Sequence, residues 1–191
     1  PVGTNDVNIV WEWHLWDHLI QEVDPDLPNY GVVSDHPELQ DINYGNAGSN
    51  GGPGGANGDW KHFNAVAYNE DLDQIALSSR FHDEIYIIDH STTTEEAAGH
   101  TGGNSGMGGD FLYRWGNPHS YNRGGDLDRV LDDQHSVNWI PEGYPGEGNL
   151  ILFNNNYGSN SAVFEIVTPI NEDGTYSISP GQPYGPIEPI W

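Results

Sequence analysis

The chain contains no cysteine, so disulfides, thiolate zinc sites and cysteine nucleophiles are excluded. Basic residues are almost as scarce: five Lys and Arg stand against 29 Asp and Glu, a formal net charge of -24. Such a surface repels a phosphate backbone, which excludes nucleic acid as a partner. No apolar run approaches the roughly 20 residues of a membrane span. The chain begins "PVGTND", with neither an initiator Met nor a signal peptide, and reads as an internal or processed start. What is abundant is punctuation. Twenty-five Gly and thirteen Pro, set among Val, Ile, Tyr and seven Trp, point to short strands joined by turns. The many carboxylates also leave calcium open as a ligand, because hard cations take oxygen donors.

Strand-like segments recur. "NIVWEW", "FLYRW" and "GPIEPIW" end at Trp13, Trp115 and Trp191 and read as one repeated strand. A His-bearing strand follows the first two, "HFNAVAY" from His62 and "HSVNWI" from His135; then come "QIALSSR" and "NLILFNN", and finally "EIYIID" and "AVFEIV". Four short strands per unit predict an all-β chain, a β-propeller of four-stranded antiparallel blades, with a sandwich as the alternative. About two units cannot close a ring of four to eight blades. Residues 1–191 therefore read as a single partial propeller domain, to be completed by another chain or by further sequence. Glycine-rich insertions at about 21–58 and 90–110 read as loops, the second as a surface excursion or a disordered tip. "NEDGT" at 171–175 reads as a hairpin turn.

Strand alternation places His62 and Asn64 on one face, and Arg80 at the end of the next strand adds a planar cationic fork. The second unit supplies His135, Asn138 and Asn154 but has no matching arginine. Converging His, Asn and Arg donors suit a sulfate or phosphate group, although histidines at strand starts also serve as structural hydrogen-bonding groups. "WEWHLWDHLIQ", residues 11–21, carries His14 and His18 at i, i+4, yet Leu15 stands where a zincin has Glu. A metal there would need Asp17 as third ligand, against a regular helical geometry, so the stretch reads first as an aromatic turn. The acid runs "NEDLDQ" and "DLDRVLDD" lack the spacing of an EF-hand.

The run "GDWKHFNAVAYNEDLDQIALSSRFHDEIYIID", together with "VWEWHLWDHL", "LYRWGNP" and "DDQHSVNWIPEGYPGEGNLILFNN", resembles the arylsulfotransferase family of the secreted bacterial type. The resemblance implies a β-propeller that moves a sulfuryl group from an aryl sulfate to a phenol through a sulfated histidine, with no cofactor. It implies that His62 and His135 bind and polarise the sulfate, with Arg80 matching the S-S-R strand end. Asn64, Asn138, Asn154, His14 and His18 stand as substrate-binding candidates. The partners implied are small aryl sulfates and phenols, and the location secreted, cell surface or periplasmic. Two departures stand out: Asn154, Asn155 and Asn156 occupy the place of a family arginine, and the family's nucleophilic histidine belongs to a later blade, past Trp191. They motivate the alternative of a non-catalytic propeller used for binding, display or assembly.

Overall fold

The computed structural model describes residues 8–45, 51–52, 55–56 and 58–190. Two small pairs come first: β1 (Leu19–Ile20) lies parallel to β2 (Gln40–Asp41), and β3 (Gly51–Gly52) antiparallel to β4 (Gly55–Ala56). The main sheet is an antiparallel meander in sequence order, β5 (Phe63–Asn69), β6 (Gln74–Ser79), β7 (Glu84–Asp89) and β8 (Phe111–Trp115). A second meander follows, β9 (His135–Trp139), β10 (Leu150–Tyr157) and β11 (Asn160–Ile166), with β10 in the middle.

The two sheets pack on one another, and alternation decides which residues meet. In β7 all six residues are buried because both faces of the strand are covered. Ile85 and Ile87 face the second sheet and join Val137, Leu150, Leu152 and Phe164 in the main core. Tyr86 and Ile88 face the other way, with Leu77 and Phe111, and are roofed by Trp11, Trp13 and Leu15. The chain is thus mostly β, as composition predicts, in two packed sheets; the described residues show no closed ring.

The repeat read from the tryptophans needs correction in its phase. Residues 8–14 form no strand. Trp11 Nε1 donates to Thr92 Oγ1 at 3.1 Å and Trp13 Nε1 to the Gly109 carbonyl at 2.7 Å, so "NIVWEW" serves as a cover for the main sheet. "FLYRW" does form a strand, β8, but it completes the sheet that precedes it instead of starting a new unit. The second sheet shows the same plan: Ile190 N–H donates to the Glu165 carbonyl of β11 at 2.8 Å, on the side that β8 takes beside β7. Trp191 itself lies outside the described residues.

Segment 90–110, expected to be a surface excursion, is tightly built. Thr93 and Glu96 form a capping box around the helical turn α1 (Thr94–Ala97). Asp89 accepts from the backbone of Ser91 and Ser105, while Ala97 and Asp110 are buried. Short polar side chains, read from composition as unable to pack, instead fasten the backbone. Of the 21–58 insertion, Val33 and Gln40 are buried, and most of its glycine-rich tip lies outside the described residues. "NEDGT" makes the expected turn: Ile170 bridges Tyr176 and Gly174 takes φ 81°.

Candidate functional site

The strand ends carrying His62, Arg80 and His135 meet at one corner, where the two sheets are pinned together. Asn64 Nδ2 donates to the Gln134 carbonyl at 2.9 Å, joining β5 to the residue before His135. Arg80 donates through Nε and Nη2 to both oxygens of Asp133, at 3.0 and 2.8 Å, in a bidentate fork that raises its pKa further. The Arg80 N–H in turn donates to the His62 carbonyl at 3.2 Å. Beneath them Gln134 is fully buried, and its Nε2 reaches Ser78 Oγ and the carbonyls of Ser79 and Glu84.

His62 is oriented by its own sequence neighbour. Its N–H donates to Asp59 Oδ1 at 2.9 Å, and its Nδ1 lies against Asp59 Oδ2 at 2.5 Å. A carboxylate oxygen accepts, so Nδ1 carries the hydrogen, and Nε2 is the ring nitrogen not engaged by Asp59. The ring rests on Phe81, centroids 4.8 Å apart. His135 lies against Phe153 at 5.0 Å, with Nδ1 2.8 Å from Ser136 Oγ. The backbone is held in an unusual state here: His62, Asp83, Asp133 and Ser136 have φ of 48°, 53°, 56° and 63°. Residues in this left-handed region persist where the surroundings fix them, and they concentrate at functional sites.

Acids crowd the same corner. Carboxylate oxygens of Asp83, Asp132 and Asp133 lie within 4.8 Å of one another. Guanidinium groups already supply positive charge, since Arg129 Nη1 donates to Asp83 Oδ2 at 2.7 Å and Arg80 holds Asp133. Burial pushes the Asp83 carboxyl up to about 6, against the lowering effects of the Asp133 N–H and of Arg129.

The remaining candidates are scattered. Asn138 is exposed on β9 opposite Ile151. Asn154 is fully buried: its Oδ1 accepts from the Asp132 N–H at 2.8 Å and its Nδ2 approaches the Val130 and Asn156 carbonyls at 3.4 Å, so it ties the 130–133 loop to β10. His14 and His18 do not share a helical face. The turn Leu15–His18 is a 3-10 helix with His14 extended ahead of it, leaving His14 exposed near Glu12 and His18 fully buried.

Two features escaped the sequence reading. The first is Asp59, although "DWKH" and "DDQH" both place an Asp three residues before the histidine, a signal that was there to be used. The second is a buried ionic network below the corner. Arg114 and Glu84, both without solvent exposure, form a bidentate pair at 2.9 and 2.6 Å, and Tyr86 donates to Glu84 at 2.8 Å. Lys61 donates to Gln40 Oε1 at 2.6 Å and Tyr86 Oη at 2.7 Å, and burial drives its pKa far down. Arg123 holds the Ser34 and Gln182 carbonyls. All five cations of the chain therefore have intramolecular partners.

A groove of about 1740 Å³ between the C-terminal segment and the second sheet is lined by Trp115, Tyr121, Val163 and Tyr184, and touches the corner only through Arg129, Asp132 and Asn156. No described helix is long and apolar enough to cross a membrane. Comparison with known proteins gives one relation. The family model described as Arylsulfotransferase (ASST) matches residues 2–177, whereas no curated protein and no solved structure matches the chain.

Proposed function

The chain belongs to the arylsulfotransferase family, and from that premise we propose that it serves the transfer of a sulfuryl group from an aryl sulfate to a phenol at the corner of His62, Arg80 and His135. The observation that carries the proposal is the joining of two histidine-bearing strand ends by Asn64–Gln134 and Arg80–Asp133. His62 has the orientation that proton transfer needs. With Nδ1–H held by Asp59, the ring enters the first step as the imidazolium: Nε2–H gives its proton to the leaving phenolate oxygen as the S–O bond breaks, leaving a neutral ring whose Nε2 takes a proton from the acceptor phenol in the second half of the reaction. Between the two steps the sulfuryl group resides on a histidine nitrogen, where an N–S bond has replaced S–O. His135 and the Nη1 edge of Arg80, which lies outside the Asp133 fork, donate to the sulfuryl oxygens. A propeller completed by more blades would enclose the corner, and a secreted or periplasmic location suits the reading.

One observation favours the non-catalytic alternative: the Arg80 fork is closed on Asp133, which neutralises the charge a sulfate would use. The test is incubation of the protein with a chromogenic aryl sulfate and a phenol. Transfer to the phenol, lost in His62→Ala and His135→Ala, supports the enzyme; rates no better than buffer, from folded protein, overturn it.

A further inference from the structure

Away from this corner, three side chains from separate segments converge beside the N-terminal tryptophans. His18 Nδ1 lies 2.7 Å and His100 Nδ1 2.8 Å from one oxygen of Asp110, Oδ1. His18 has no solvent exposure and Asp110 is buried, while His100 is exposed. The other nitrogen of His18, Nε2, lies 2.9 Å from the Ala97 carbonyl. A carbonyl oxygen only accepts, so in the neutral ring Nε2 carries the hydrogen and Nδ1 presents a lone pair. That lone pair points at a carboxylate oxygen, which is also an acceptor. Two acceptors at this distance need either an added proton or a metal ion between them, and the second imidazole that aims its own nitrogen at the same oxygen supplies the further donor a metal would take.

We infer that the cation is a divalent transition metal of the zinc class, bound by His18 Nδ1, His100 Nδ1 and an Asp110 oxygen. Two imidazoles and one carboxylate form a donor set for zinc and its neighbours, whereas calcium takes oxygen donors. The Ala97 hydrogen bond is the outer contact that fixes the tautomer of a metal-binding histidine. Trp13 stacks flat on His18, 5° between planes and centroids 5.6 Å apart, which fixes the ring from one side. The backbone of Gly109 closes the other approach: a Cβ there would lie 2.7 Å from His18 Nε2. With metal bonds of about 2.0–2.1 Å, tetrahedral donors stand about 3.3 Å apart. The two contacts to Asp110 therefore open by about half an ångström around the ion, through a shift of exposed His100 on one side and a small rotation of the Asp110 carboxylate away from His18 on the other. His100 also borders a cleft of about 480 Å³ shared with Trp16, Asp17 and Tyr30, and water from that cleft takes the fourth position. The ion joins the N-terminal cover to segment 94–110.

The test uses the full chain stripped with chelator and titrated with Zn²⁺ by calorimetry and with Co²⁺ by visible absorption. One equivalent binds, Co²⁺ gives tetrahedral bands, and the melting temperature rises with metal. His100→Ala, at an exposed residue that leaves the fold intact by circular dichroism, weakens binding by about tenfold or more. His119→Ala, which removes the exposed His119–Asp126 pair, leaves binding unchanged. Sub-stoichiometric binding, or binding that His100→Ala does not alter, overturns the inference and assigns a proton to the His18–Asp110 contact.

Discussion

Replacing His82 with phenylalanine isolates the effect of burying a titratable ring. His82 is fully buried between Tyr44 and Trp60, ring centroids 5.4 and 5.1 Å away, and neither nitrogen makes a well-formed hydrogen bond. Desolvation first, then the charges of Lys61 and Arg114, depress its pKa from 6.5 to about 2. The unfolded chain takes up this proton below pH 6.5, and the folded chain does not until about pH 2. Stability is therefore lost as pH falls through that window, by about 1.4 kcal/mol per unit, or about 2 kcal/mol at pH 5. Asp83 acts in the opposite sense between about pH 6 and its unfolded value of 3.8, because the folded state protonates first. The two nearly cancel in the wild type, so the informative quantity is a double difference. We expect the stability of His82→Phe minus that of wild type, from urea unfolding followed by tryptophan fluorescence in fixed salt, to be about 2 kcal/mol larger at pH 5 than at pH 7.5. A value within about 0.5 kcal/mol of zero would refute the argument, whatever the packing cost of the phenyl ring, because that cost is common to both pH values.

Asp83→Asn, which keeps a residue tolerant of the left-handed backbone, should lose that group's stabilising contribution in acid, so its stability relative to wild type should fall by about 2 kcal/mol between pH 6 and pH 4 in the same unfolding measurement. Glu84→Gln should cost about 3–5 kcal/mol by leaving Arg114 charged and uncompensated, and pairing Glu84→Leu with Arg114→Met should recover much of that loss in denaturant melts. Asn154→Ala should cost about 1–3 kcal/mol, because the Asp132 N–H loses its acceptor. Asp59→Asn should lower sulfuryl transfer about a hundredfold in steady-state assays while the unfolding curve stays near wild type.

The seven long strands were legible because alternation and β-branched runs mark them: "EIYIID" and "AVFEIV" fall within one or two residues of β7 and β11. Where the tryptophan alignment failed, the reason is physical. Trp is as suited to roofing a sheet as to ending a strand, and the choice between them rests on Thr92 for Trp11 and on Gly109 for Trp13, 81 and 96 residues away. At the corner, His62, Asn64, Arg80 and His135 were named from local pattern, yet the roles of Asp133 and Gln134 depend on contacts between sheets. Asn154 looked like a substrate group because asparagine at a strand end is polar; its burial comes from the loop folded over it. That segment 90–110 is an ordered surface loop and not a disordered tip was not legible, because composition does not distinguish a polar loop that solvates itself from one whose hydroxyls and carboxylates satisfy its own backbone.

That all five cations are paired within the molecule has a kinetic consequence. Lys61, Arg80, Arg114, Arg123 and Arg129 are each tied to acceptors of the same chain, and the net charge of -24 leaves the outward field dominated by unpaired acids. An anionic reactant such as an aryl sulfate would travel uphill in potential to reach the corner, the reverse of the attractive steering that speeds many encounters. Added salt shortens the reach of that repulsion to about 8–10 Å near physiological strength and further at molar concentrations. Encounter rates for anions should consequently climb with ionic strength, while neutral phenols arrive at a rate that salt hardly touches.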